Sequence, residues 1–167
     1  MKSLFVITMT ATLALSVPAL HAQTTEVPLI GNDGTAIGRI ALQGGTGPTV
    51  VRVTIEPGKV SAGWHGVHFH GVGDCSDREK FLASKSHVNH GGRKHGLLNP
   101  EGPDDGDLPN VFAAADGSVN AEVSSPTPLA ALRDADGSAF VMHANEDDHM
   151  AQPIGGAGAR IACAVIR

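Results

Sequence analysis

The chain sustains no helical period. Across its 167 residues no segment repeats apolar residues at three- and four-residue spacing for long enough to read as an amphipathic helix, which argues against helical bundles and alternating α/β folds. Positive charge is also in short supply. Twelve Lys and Arg stand against 17 Asp and Glu, a formal net charge of −5. Lys2 is among the basic residues and no acidic residue precedes Glu26, so loss of the first residues makes the chain more acidic still. That balance disfavours nucleic acid as a partner, and an anionic substrate would need a local positive feature. Cysteine is limited to Cys75 and Cys163. No internal repeat, linker or second domain is visible.

One apolar run is present, at the start. Lys2 supplies a positive end, Leu4 to Pro18 is mostly apolar and uncharged, and Ala19-Leu20-His21-Ala22 offers a small residue at a cleavage point. Residues 1–22 therefore read as a secretory signal peptide, with an uncleaved anchor as the alternative. The run is short and abruptly ended for a membrane span. Residues 23–167 are expected to form one exported, periplasmic domain with no membrane segment. In an exported chain two cysteines suggest a disulfide. It would close a loop of roughly 88 residues, on the order of 4–5 kcal/mol in the chain-entropy view. Two buried free thiols are the other reading.

What remains reads as short strands broken by turns. Residues 26–30 and 35–42 flank Gly31-Asn32-Asp33-Gly34, a hairpin pattern. Val51, Val53 and Ile55 alternate with Arg52, Thr54 and Glu56, a half-buried strand. Further strands are expected over 67–70, 111–114, 119–123, 138–143 and 160–166, with Asp116-Gly117 as a second hairpin turn. The pattern predicts an all-β antiparallel sandwich or barrel of about eight strands. Two long irregular stretches, 71–110 and 146–159, are of the kind that is commonly functional in a compact domain.

The chemistry concentrates between residues 64 and 107, which hold most of the nine histidines. His68 and His70 are two apart, so on a strand they share one face while Val67 and Phe69 take the other. His87 and His95 flank Gly91-Gly92, a loop folding back, and Asp104 and Asp107 follow. Clustered imidazoles suit copper and zinc, and carboxylate suits zinc. A lone histidine is ordinarily solvated or hydrogen-bonded; paired histidines across strand and loop, followed by acids, point to a metal site.

These residues resemble the copper, zinc superoxide dismutases, in particular their exported bacterial branch. His65-Gly66-Val67-His68-Phe69-His70, Gly73-Asp74-Cys75, the segment from His87 to Gly96, Gly106-Asp107-Leu108, and Gly155 to Ile166 match the family's motifs in order. The resemblance implies an eight-stranded Greek-key β-barrel that converts superoxide to dioxygen and hydrogen peroxide. By position, it implies copper at His68, His70, His87 and His143, with His87 bridging to zinc at His95, Asp104 and Asp107. It further implies a Cys75–Cys163 disulfide, Arg160 as the active-site arginine, and Asp147 as a carboxylate linking a copper histidine to a zinc histidine.

Two positions depart from the family pattern. The family usually has histidine where Asp104 stands, so His90 or Asp105 competes as the zinc ligand. It commonly has proline where this chain has His90, which otherwise reads as a solvated loop residue. His65 reads as structural and His149 as a surface residue. A periplasmic copper buffer or carrier would use the same histidines without needing Arg160; a structural relative that has lost copper would be marked by loss of a copper histidine, and all four positions are present. Monomer and homodimer both remain open from the sequence.

Overall fold

The computed structural model describes residues 24–167; the expected leader over residues 1–22 lies outside the described residues. Among the described residues there are nine strands: β1 (Thr24–Gly31), β2 (Ala36–Gln43), β3 (Thr49–Ile55), β4 (Gly63–His65), β5 (Val67–His70), β6 (Val111–Ala113), β7 (Val119–Ser125), β8 (Ser138–His143) and β9 (Arg160–Ile166). One helical turn, α1 (Leu129–Leu132), lies between β7 and β8. No helix among them is long and apolar enough to cross a membrane.

Seven strands form one antiparallel sheet in the order β5-β8-β9-β1-β2-β3-β7, and β4 pairs with β6 in a separate ribbon. Only Gly66 separates β4 from β5, which ties the ribbon to one edge of the sheet. At the ribbon's other end, the turn at Asp116-Gly117 leads from β6 into β7, at the opposite edge. The ribbon therefore spans the gap between the two edges and the sheet curls into a barrel. This antiparallel barrel is the architecture that the strand pattern predicts. The hairpin at Gly31–Gly34 forms as expected, with Gly34 at φ 79° and Asp33 Oδ1 accepting from the Thr35 N–H at 2.8 Å. The second turn forms too, but its flanking strands do not pair: β6 joins β4 and β7 joins β3.

Alternation sets the core. Ile40, Leu42, Val51 and Val53 are fully buried while Arg39 and Arg52 point outward. Each such aliphatic burial is worth about 1.5–3 kcal/mol. β5 and β8 differ, because both of their faces are buried. Val67, Phe69, Phe140 and Met142 enter the barrel core. The opposite face carries His68, His70 and His143, and the two long loops cover it. A smaller cluster on that outer side joins Phe81, Ala139, Val141 and Cys163, with Cys75 packed against it.

Cys75 and Cys163 are disulfide-bonded across 88 residues, fastening the first long loop to β9. Loop closure of that length stabilises by about 4–5 kcal/mol in chain-entropy terms. Replacing both cysteines by serine is therefore expected to lower the melting temperature by about 10 °C or more. Calorimetry of the oxidised protein beside the double variant checks this. Melting temperatures within about 2 °C of each other would show that the crosslink constrains little.

Candidate metal centre

The outer face of β5 and β8 brings the predicted histidines together. The His68 and His70 rings lie 6.4 Å apart. His87 enters from the first long loop, with its ring 4.2 Å from His68 and 5.1 Å from His70. His143 closes the group at the end of β8, 4.9 Å from His68. The ligand atoms of His68, His70 and His143 all lie within 4.8 Å of one another. A second cluster of the same tightness contains His87, His95, Asp104 and Asp107. His87 stands between the two.

Hydrogen bonds decide which nitrogen of each ring is bare. His70 Nδ1 donates to the Lys85 carbonyl at 2.7 Å, and His143 Nδ1 donates to the Gly158 carbonyl at 3.0 Å. A carbonyl can only accept, so these protons sit on Nδ1 and leave the Nε2 lone pairs free. His68 is turned the other way: Nε2 donates to Asp147 Oδ2 at 2.8 Å and Nδ1 is bare. His87 Nδ1 faces Asp104 Oδ2 at 2.9 Å. The remaining nitrogens, His68 Nδ1 and the Nε2 atoms of His70, His87 and His143, are buried without a hydrogen-bond partner among the described residues. Four unpaired acceptors in one place are costly unless something electrophilic uses them. Their donor chemistry fits copper.

Burial also keeps the His68, His70 and His143 rings neutral. It pushes His68 down to about 3 and His143 to about 4, and holds His70 well below the usual histidine range; neighbouring imidazoles add to each effect. The second cluster behaves oppositely. Burial would lower His95 as well, but its bonds to Asp107 and Asp147 outweigh burial and raise it to about 10. Burial would raise Asp107, yet the bonds from His95 and from the Gly96 N–H hold it below its ordinary value. His95 Nδ1 meets Asp107 Oδ1 at 2.5 Å, and His87 Nδ1 lies 3.6 Å from that same oxygen. Two nitrogens and two carboxylates converging in a buried space form a donor set that fits zinc.

Asp104 lies inside this second cluster, only 7% exposed. The loop reaches it because Gly106 packs directly on the Phe69 carbonyl, where a Cβ would clash. The competing residues are engaged elsewhere. Asp105 Oδ2 accepts from the His90 N–H at 2.6 Å, and the His90 ring is 57% exposed, 3.6 Å from that carboxylate.

Asp147 joins the two clusters. Its Oδ2 accepts from His68, and its Oδ1 accepts from His95 Nε2 at 3.2 Å. Burial would raise its pKa, but these bonds hold the carboxyl below the usual carboxylate range. Arg160 reaches the same face through a bulge in β9: Met142 pairs with Ala162 but His143 pairs with Arg160, so Ile161 is the extra residue. The bulge puts Arg160 beside His143 instead of in the barrel core. Its Nη1 donates to the Phe81 carbonyl at 2.7 Å and to Ser84 Oγ at 3.0 Å, and its Nη2 donates to the Lys85 carbonyl at 2.8 Å. A cavity of about 270 Å³, lined by His70, His87 and Arg160 among others, opens this face to solvent.

Residues 36–166 match the family model for copper/zinc superoxide dismutase (SODC). A superoxide dismutase [Cu-Zn] from Caulobacter vibrioides is 50% identical, over 72% of this chain and 73% of its own length. The chain belongs to the copper/zinc superoxide dismutase family. A second such dismutase, from Brucella abortus, is 32% identical over 99% of both chains. The solved Cu/Zn superoxide dismutase from Brucella abortus superposes with a TM-score of 0.71 at 31% identity, covering 87% of this chain and 100% of that one. A SOD-like protein from Bacillus subtilis gives 0.76 at 29% identity, over 85% and 97%. As a copper/zinc superoxide dismutase, the protein uses copper and zinc as its metals and superoxide as its substrate.

Of the remaining histidines, His65 is structural: its ring nitrogens lie 2.7 Å from the His143 carbonyl and 2.9 Å from the Ser61 carbonyl. His149 is not a free surface residue as the sequence suggests, since it packs against Asp147. Asn110, which binds the backbone of Asp147 in both directions, gave no sign of its role in the sequence.

Proposed function

We propose that this dismutase holds copper through His68 Nδ1 and the Nε2 atoms of His70, His87 and His143. Zinc would be held by His87, His95, Asp104 and Asp107, with His87 offering one ring nitrogen to each metal. The observation that carries this reading is the set of four buried imidazole lone pairs with no other partner. Copper supplies one-electron exchange and zinc a fixed positive charge. The residues supply the rest. Arg160 is a permanent cation with donors to spare beyond its three protein bonds. On a chain of net charge −5 it gives the local attraction that a small anion needs, and its fork orients that anion beside His87. His87 lines the cavity, and its Nε2, when not engaged by the metal, would take a proton from water and give it to the reduced dioxygen. Two superoxide ions and two protons give one dioxygen and one hydrogen peroxide.

A carrier without turnover would share the histidines. The Bacillus subtilis relatives bear only the description superoxide dismutase-like, so resemblance alone leaves that choice to the site. Arg160, anchored on the cavity wall, favours turnover. Export to the periplasm through a cleaved leader over residues 1–22 belongs to the same reading, supported by the disulfide.

Asp104 gives the test. Asp104→Ala is expected to lose most of its zinc and keep most of its copper, measured by metal analysis after loading with both. His90→Ala is expected to match the wild type. Full zinc in Asp104→Ala with loss in His90→Ala would move the ligand to His90. A wild type that binds copper and no zinc would refute the zinc assignment.

A further inference from the structure

We infer that His149 is a positioning residue for the dismutase centre: its ring, oriented by Asn110, fixes the Asp147 carboxylate between His68 and His95. The inference rests on the proposed reading of those two histidines as copper and zinc ligands.

The orientation follows from the Asn110 amide. Asn110 Oδ1 accepts from the Asp147 N–H at 3.0 Å, and Nδ2 donates to the Asp147 carbonyl at 2.8 Å. Those two bonds settle which end of the amide is nitrogen. The second Nδ2 hydrogen faces His149 Nε2 at 3.2 Å. Nε2 is therefore the acceptor of the ring and the proton sits on Nδ1. That Nδ1 is buried, has no hydrogen-bond partner, and lies 3.5 Å from Asp147 Oδ2. This is longer than a hydrogen bond but close enough to present an N–H dipole to the carboxylate.

The backbone makes the same point. His149 has φ 60°, in the left-handed region that costs a residue with a side chain. In that conformation its N–H donates to Asp147 Oδ1 at 2.7 Å. Its carbonyl accepts from Leu98 N at 3.2 Å and packs on Gly96, beside His95, where a Cβ would clash. His149 thus touches Asp147 through backbone and ring and braces the loop that carries His95. With His68 and His95 also donating, both oxygens of the carboxylate are held. Outer partners of this kind orient metal-binding imidazoles.

Two substitutions separate the ring from the backbone. His149→Gly keeps the N–H and relieves the left-handed strain. His149→Asn tolerates the same backbone and puts an amide nitrogen on Cγ, where Nδ1 stands. Zinc release from the copper- and zinc-loaded protein to a chromogenic chelator is expected to be about tenfold faster in His149→Gly. The visible absorption of copper is expected to shift, because His68 loosens. His149→Asn is expected to restore both readouts to near wild type. Wild-type zinc release in His149→Gly would overturn the inference. So would wild-type zinc release in His149→Phe, which fills the space of the ring without either nitrogen. A wild type that takes up no zinc would refute the underlying metal assignment, and that result appears before any variant is compared.

Discussion

Alanine at His87 is expected to leave no dismutation above that of the variant without added metal. The His87 ring packs against His68 and His70 of the first cluster and turns Nδ1 to Asp104 of the second. On the proposed reading its removal would take a donor from each metal and a proton donor from the reaction. The proton role alone is worth about 10²- to 10⁴-fold in rate. Metal analysis is expected to show zinc lost and copper weakly held. His90→Ala, three residues further along the same loop but exposed, is expected to keep full activity. If His87→Ala retained both metals and a tenth or more of the wild-type rate, the shared-ligand reading would be wrong.

The second large effect belongs to Arg160. Arg160→Ala is expected to keep copper and zinc, because the side chain bonds to the Phe81 and Lys85 carbonyls and to Ser84, not to the imidazoles. The rate with superoxide is nevertheless expected to fall by about ten- to a hundredfold at low ionic strength, the range electrostatic focusing supplies. The sign of the salt effect follows. An anion drawn by a cation is drawn less when salt screens the field, so the wild-type rate falls as ionic strength rises. The alanine variant should show a flatter dependence. Arg160→Lys keeps the charge without the planar fork and should lie between the two. Pulse radiolysis across a salt series measures all three. A salt-independent wild type with an unimpaired alanine variant would remove Arg160 from the mechanism.

Much of this was legible in the sequence, for physical reasons. Strands β3 and β5 show themselves because one face is apolar and the period is two. The same period puts His68 and His70 on one side and Val67 and Phe69 on the other, as the structure has them. Strand β4 escaped because three residues, Gly63–His65, carry too little pattern. The turn at Asp116-Gly117 was visible, but turn chemistry does not say that β6 will pair with β4. That pairing depends on how the two edges of the sheet meet. The bulge at Ile161 and the clamp of Asn110 and His149 on Asp147 were hidden for a related reason. Each joins segments far apart in the chain, and its residues follow no period of their own.

Asp147 gives one carboxylate two imidazole neighbours, a ring of the first cluster on Oδ2 and a ring of the second on Oδ1. On the proposed reading, with copper in the first cluster and zinc in the second, their affinities would be linked through this carboxylate, and linkage is reciprocal. Whatever factor zinc adds to the affinity for copper, copper must add to the affinity for zinc. Neither metal can prepare the site for the other without being held more tightly in return. Which arrives first is decided by supply and by rates, and the filled centre is the same by either route.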